Sequence, residues 1–199
     1  VTNACFRKLA QGSFQFSPDV DGVLHVAMRK ISSVLGRAPS YCNIRPRFGP
    51  GATTQTPKRK ACIALKLSQA PACSLNAADY VDRFGGFWYS DVDENGVQDV
   101  TLPVHHSVLQ FVPKTALIDR VIMVEPAWNG MFQSGLGEIL RTRLLRNAGI
   151  DIRDQSRNQR LAKYGSCSGN FATIDLSSAS DTVSTGLIRS VSRRLDRPI

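Results

Sequence analysis

Apolar residues recur at helical spacing in some stretches of this chain and gather into short runs in others, and the change marks out its elements. Val20, Val23, Leu24, Ala27, Ile31, Val34 and Leu35 fall at helical spacing and predict a helix over residues 20–35. A second, longer helix is predicted over 128–148, with Phe132, Leu136, Ile139, Leu140, Leu144 and Leu145 as its apolar stripe and Gly149 as its C′ residue. Arg141, Arg143 and Arg146 crowd its last turns, where positive charge suits the helix dipole. Between the helices the pattern shortens. Asn95-Gly96 is a type I′ turn signal, which predicts a hairpin with strands near 87–92 and 97–102. Residues 110–124 read as strand, basic loop and strand, stopped by Glu125-Pro126. Near the end, residues 171–176 (Phe-Ala-Thr-Ile-Asp-Leu) read as a short strand, Ser177 to Ser180 as a turn, and Val183, Leu187, Val191 and Leu195 as a helix stepping by four. The first 40 residues otherwise read as mixed helix and loop, and the class these elements define is α+β.

Punctuation adds one irregular segment. Arg45-Pro-Arg47-Phe-Gly-Pro-Gly-Ala-Thr53 holds two prolines and two glycines and cannot be regular structure. Lys58-Arg-Lys60 follows closely. Bare backbone N–H groups in such a loop can approach phosphates, although the Gly-Lys-Ser/Thr ending of a P-loop is absent. Taken alone, the segment is more often just a turn.

Charge sharpens this. Lys and Arg number 25 against 16 acids, a net +9, which favours a polyanionic partner or a merely basic surface. Six of the 16 acids lie between Asp79 and Asp99 and read as the solvated face of the predicted hairpin. From Arg141 to Lys163 there are seven basic residues and two acids. Part of that run is helix-end chemistry. The remainder, Arg153, Arg157, Arg160 and Lys163, suits a phosphate backbone. The five cysteines show no C-x-x-C pair, so a zinc ribbon has no support and free thiols are the simplest reading. His105-His106 has no third ligand nearby and reads as ordinary histidine. No apolar run approaches the roughly 18 residues of a membrane span. The chain starts without Met or a signal-peptide layout, so it is expected to begin inside a larger protein.

One segment carries chemistry. Asp175 falls at the end of the predicted apolar strand and Asp181 in the first turn of the helix after it. Ser178 and Asp181 fit a capping box written with Asp, so Asp181 has a structural reading as good as any functional one. A carboxylate on a core strand is harder to explain, because burying it unpaired costs several kcal/mol. It needs a cation, a metal or several donors. Hard divalent cations take such oxygens, and two of them about 4 Å apart serve phosphoryl transfer.

Asp175-Leu-Ser-Ser-Ala-Ser-Asp181 resembles motif A of viral RNA polymerases, in the form found in the replicase β subunit of levivirus-type single-stranded RNA phages, the Qβ and MS2 group. Phe48 to Thr53 resembles a loop of that family. Val112-Pro-Lys114, Ile118-Asp-Arg120 and Glu125-Pro126 resemble its motif F region, and Gly149 to Gln155 with Asn158-Gln159 the stretch between F and A. The four matches run in order over Phe48 to Asp181; residues 1–45 add little. The resemblance implies an RNA-directed RNA polymerase working by Mg²⁺-dependent nucleotidyl transfer. Asp175 would bind metal, Asp181 would sense the ribose of the incoming nucleotide, and Lys114 and Arg120 would cover the triphosphate. Arg45, Arg47, Arg153, Arg157 and Arg160 are the candidate RNA-binding residues. A second motif F lysine often found three residues after the first is Leu117 here.

The implied architecture is a partial right hand. Residues 1–165 would form a fingers region and 166–199 the first strand and helix of the palm. Motifs B and C are expected further on; the chain ends at Ile199 and holds no Asp-Asp dipeptide. It is therefore expected to be a fragment inactive alone, whose palm strand would lack partners to pair with. The implied partners are template and product RNA, nucleoside triphosphates, host elongation factors Tu and Ts and a ribosomal protein, in the cytoplasm of an infected bacterium, with no membrane. Two other readings compete: a non-enzymatic basic RNA-binding module, and a metal-dependent phosphohydrolase using Asp175 and Asp181.

Overall fold

A computed structural model describes residues 3–11, 13–85, 102–174, 179 and 183–189. Its elements run α1 (Asn3–Ala10), α2 (Pro18–Leu35), α3 (Ile63–Leu67), α4 (Leu75–Gly85), β1 (Val108–Pro113), β2 (Asp119–Val124), α5 (Ala127–Ala148) and α6 (Ser156–Ser168). Mixed helix with a small sheet is an α+β composition. The chain divides into two compact units. One comprises Tyr41–Glu138, the other Val1–Ser40 together with Ile139–Ile199.

In the first unit the core gathers Cys73, Val81, Trp128 and Met131, with Phe48, Ala77, Leu102 and Phe132 packed against them. Trp128 stacks on Phe132 with centroids 5.6 Å apart. Helix α5 begins where expected, but its buried face here is Ala127, Trp128, Met131 and Gly135. Of the predicted stripe within this unit, Phe132 is half-buried and Leu136 exposed; Ile139, Leu140 and Leu144, in the other unit, are half-buried as expected. The stripe omits the buried Gly135, which hydrophobicity does not mark. A Cβ on Gly135 would lie 2.7 Å from the Arg45 carbonyl oxygen and 2.9 Å from Ile44 Cγ2, and the Arg47 N–H donates to the Met131 carbonyl at 3.4 Å. The 44–47 backbone thus lies directly on the helix. Gly135→Ala should cost about 1–3 kcal/mol through overpacking, against the gain of about 1 kcal/mol that Ala brings to a free helix. Urea denaturation reads the sign, and a stabilised Gly135→Ala chain would show that the contact is not made.

Strands β1 and β2 form one antiparallel ribbon with Val108 opposite Val124 and Val112 opposite Arg120, as the strand–loop–strand pattern predicts. Pro126, fully buried beyond Glu125, ends β2. Leu109, Phe111, Val121 and Met123 share one face of the ribbon, and all four are exposed. The hairpin predicted about Asn95-Gly96 lies almost wholly outside the described residues.

In the second unit α2 covers the predicted helix, and its half-buried face is Leu24, Met28, Ile31, Val34 and Leu35, while Val20, Val23 and Ala27 are exposed. Its C-terminal carbonyls are capped from α5. The Arg143 guanidinium donates to Leu35 O and Arg37 O, and the Asn147 amide to Val34 O at 2.6 Å. Arg143 therefore serves the end of α2 rather than only its own helix. Gly149 takes the expected C-terminal place with φ +66°. Leu145, placed in the apolar stripe by its spacing, is exposed.

The strand expected over residues 171–176 is not formed in its described part. Residues 171–174 are irregular and exposed. Among the described residues no strand lies beside them, and an unpaired strand has no ladder to hold it. The helix expected next is present at 185–189 but starts later than expected. Val183 and Ser184 are non-helical, so Asp181 is not in its first turn, and the buried Ser184 opens it, its Oγ accepting from the Leu187 N–H at 3.1 Å.

Candidate functional site

The sequence nominates residues in three places. In the Tyr41–Glu138 unit, Arg45 to Thr53 is irregular, as its prolines and glycines dictate. Phe48 anchors it to the core. At the far side Thr53 and Thr56 exchange backbone hydrogen bonds of 2.9 and 3.2 Å, and the Thr54 N–H donates to Glu125 O at 3.2 Å. Gln55 then stands in for a strand: its amide donates to Ala70 O at 2.8 Å and accepts from the Ala72 N–H at 2.6 Å.

Inside the loop lies a residue that the sequence reading passed over. Lys66 of α3 is 4% exposed, and its Nζ donates to Gly49 O at 2.5 Å and Gly51 O at 2.6 Å. Burial pushes its pKa below the usual lysine range, and the nearby Cys62 thiol pulls it partly back. A lone lysine inside the apolar run Ile63 to Leu67 was the available signal. The peptide geometry has a consequence for anion binding. In a trans peptide the carbonyl and the next N–H point oppositely. Turning Gly51 O onto Lys66 turns the Ala52 N–H away from it, while Pro50, after Gly49, has no N–H to offer. Arg45 and Arg47 are both exposed. Arg47 stands 3.9 Å from the Glu138 carboxylate, a surface pair of little energetic weight.

The second place is the ribbon. Arg120 is the partner of Val112, two residues before Lys114. Cross-strand partners share a face, so the register sets Arg120 beside the strand that leads into Lys114. The turn between is closed by Lys114 and Thr115 N–H groups donating to Ile118 O at 2.9 and 3.1 Å, and Thr115 Oγ1 accepts from the Leu117 and Ile118 N–H groups. Lys114 and Arg120 are both exposed, and Leu117 is 94% exposed at the tip. At the ribbon's base the Ser107 hydroxyl donates to the Glu125 carboxylate at 2.8 Å. His105 Nδ1 meets the Thr54 hydroxyl at 2.9 Å, so this histidine is tied to the loop. A groove of about 410 Å³ opens elsewhere in this unit, lined by Ile44, Tyr80, Phe132 and Leu136 among others. None of the nominated basic residues lines it.

The third place is in the other unit. Residues 149–155 enter α6 through two Asx turns: Asp151 accepts from the Arg153 N–H at 2.9 Å and Asp154 from the Ser156 N–H at 2.8 Å. The Ser156 hydroxyl and N–H, aided by Arg160, hold the Asp154 carboxyl below the usual carboxylate range. Arg157 and Arg160 lie in α6, Arg153 just before it, and all three are exposed. The sequence reading took these residues as a basic tract and did not foresee the helix. Asp175 and Asp181 lie outside the described residues.

The chain is basic and α+β, with a lysine-clamped glycine loop, a ribbon bearing Lys114 and Arg120, and a helix bearing Arg157 and Arg160. The family described as RNA replicase, beta-chain matches residues 1–192. The RNA-directed RNA polymerase subunit beta of Escherichia virus Qbeta is 38% identical over 190 residues, which cover 94% of this chain and 31% of that protein. The same subunit of Qbeta virus (strain MX1) is 40% identical over 168 residues, covering 83% of this chain and 27% of that protein. The RNA-directed RNA polymerase beta chain of Escherichia phage MS2 is 53% identical over 77 residues, covering 39% of this chain and 14% of that protein. This chain belongs to the RNA replicase β-chain family. It spans less than a third of the length of these relatives. Among the described residues no helix is long and apolar enough to cross a membrane.

Proposed function

We propose that this stretch serves RNA-directed RNA synthesis in a phage replicase, as fingers and opening palm, acting on template and product RNA and nucleoside triphosphates in the infected bacterial cell. The observation that carries the reading is that this chain's relatives, named RNA-directed RNA polymerase β subunits, match it along most of its length. In this reading Lys114 and Arg120 meet the triphosphate, Arg45, Arg47, Arg153, Arg157 and Arg160 meet RNA phosphates, Asp181 meets the ribose, and Asp175 holds metal. Among the described residues no three His, Cys, Asp or Glu side chains come together to hold a metal. The donor set that the sequence offers is the Asp175 carboxylate, a hard oxygen ligand of the kind Mg²⁺ takes. Bound Mg²⁺ supplies charge neutralisation at the transferring phosphoryl group.

The register at the ribbon supports the assignment of Lys114 and Arg120. Two exposed cations near one tip can lie along a polyphosphate, where fixed charge offsets what develops in the transition state. Lys114→Ala and Arg120→Ala, made separately in a full-length replicase carrying this sequence, should each cut kcat/KM for nucleotide by about 10–100-fold with little change in RNA affinity. Steady-state incorporation at varied nucleotide concentration measures this. Normal kcat/KM in both variants would remove the ribbon from the nucleotide site.

A further inference from the structure

Helix α6 presents more than charge. Arg157, Arg160 and Tyr164 fall within about a sixth of a turn of one another at 100° per residue, so two guanidinium groups and a phenol ring share one face. All three are exposed, Tyr164 at 55%. Beside Tyr164 lies Phe171, 56% exposed, with ring centroids 5.7 Å apart and planes at 53°. That pairing is built into the backbone. Gly165 is buried, and a Cβ there would stand 2.9 Å from the Phe171 carbonyl oxygen and 3.0 Å from its Cβ. The chain therefore folds back across Gly165, after the left-handed Gly169 with φ +71°, and sets the Phe171 ring against Tyr164.

We infer that Tyr164 and Phe171 form a stacking platform for unpaired RNA bases, with Arg157 and Arg160 holding the adjoining phosphates. An exposed aromatic pair alone does not name its partner. Here two cations share its helix face, in a chain of net charge +9. Cations beside open π-faces suit single-stranded nucleic acid, whose bases stack on aromatic rings while its phosphates follow the positive charge. A duplex would offer phosphates but no free base faces, so it uses only half of this surface. Asp154 offsets part of the Arg160 charge, but α6 itself carries Arg157, Arg160 and Lys163 and no acid. The inference rests on the replicase reading for its choice of RNA, and it names a base-contacting pair that the basic residues alone do not imply.

The test uses the full 199-residue chain and a labelled single-stranded oligoadenylate of about ten nucleotides, read by fluorescence anisotropy. Tyr164→Leu and Phe171→Leu keep apolar bulk and remove the π-face; each should weaken binding about tenfold. Tyr164→Phe should bind like the unmodified chain. Arg157→Gln and Arg160→Gln should each lower the slope of log affinity against log salt by about 0.7. A further arm needs no variant: an abasic oligonucleotide of the same length should bind the unmodified chain about tenfold more weakly or worse. Equal binding of abasic and normal RNA, or Leu variants that bind normally, would overturn the platform and leave Tyr164 and Phe171 as a surface for protein. Nucleotide incorporation by the full-length replicase separates the two readings. A platform that fails while incorporation persists refutes only the stacking. Base-dependent binding without incorporation refutes the polymerase assignment and keeps the platform.

Discussion

A full-length replicase carrying Asp175→Asn should lose nucleotide incorporation by at least about a hundredfold while binding RNA as before. Asn matches Asp in shape but replaces an anionic oxygen with an amide, which removes a hard ligand without opening a cavity. Metal at a transferring phosphoryl group supplies several kcal/mol of transition-state stabilisation, and each 1.36 kcal/mol is tenfold in rate. RNA affinity is set by Lys and Arg contacts to phosphates, and Asp175 is not among them. Asp181 makes the informative contrast. The helix at 185–189 is opened by Ser184 rather than Asp181, so Asp181→Asn tests the ribose reading without removing that helix's start. Asp181→Asn should therefore keep most incorporation and lose preference for ribo- over deoxyribonucleotides, because a 2′-hydroxyl partner is what separates them. Single-nucleotide incorporation, with and without Mg²⁺, measures both. Unchanged synthesis by Asp175→Asn would refute its metal role.

What was legible in the sequence is what local pattern decides. Helices α2 and α5 follow from their periods, and the β1–β2 ribbon from two short apolar runs about a basic loop, the second stopped by Glu125-Pro126. The family was legible in four short matches, and the comparisons place the chain in it. Choices made at long range were not legible. Period alone put Leu136 and Leu145 in the core of α5, but Gly135 lets the 44–47 backbone approach and moves the buried face towards Met131. Arg143 looked like a charge for its own helix end, yet it caps α2, 108 residues away from Leu35. Residues 171–174 carry strand-like composition, but a strand is made by its neighbour, and composition does not supply one. Helix α6 was hidden because its charged and polar residues leave little apolar periodicity to read.

Lys66 is the sharpest of these long-range features, and its removal should cost the Tyr41–Glu138 unit about 3 kcal/mol. Lys66→Met keeps the length of the stem and deletes the donors. Gly49 O and Gly51 O, held at 2.5 and 2.6 Å, are then left without their partner, at about 1–3 kcal/mol each. Relief from desolvating an ammonium that is 4% exposed offsets part of that. Lys66→Arg should not rescue, because a planar fork of five donors does not fit a cage cut for one ammonium. The pH dependence has a definite sign. Burial lowers the folded-state pKa of Lys66 beneath its ordinary 10.5. Between the two values the unfolded chain binds more protons than the folded one, so stability gains from this group as pH rises through that window. The stability difference between the unmodified chain and Lys66→Met should therefore widen towards pH 10.5, as urea denaturation across alkaline pH would show. A narrowing difference would mean that the two carbonyls hold the charged form more strongly than burial opposes it. In the proposed function the clamp also bears on RNA binding. With its carbonyls turned onto Lys66, the loop leaves Arg45 and Arg47 exposed at its start and the Ala52 N–H turned away from the cation. Loss of the clamp should then weaken RNA binding through these arginines even where the rest of the unit stays folded, and intact RNA affinity in a Lys66→Met chain would separate the loop from RNA altogether.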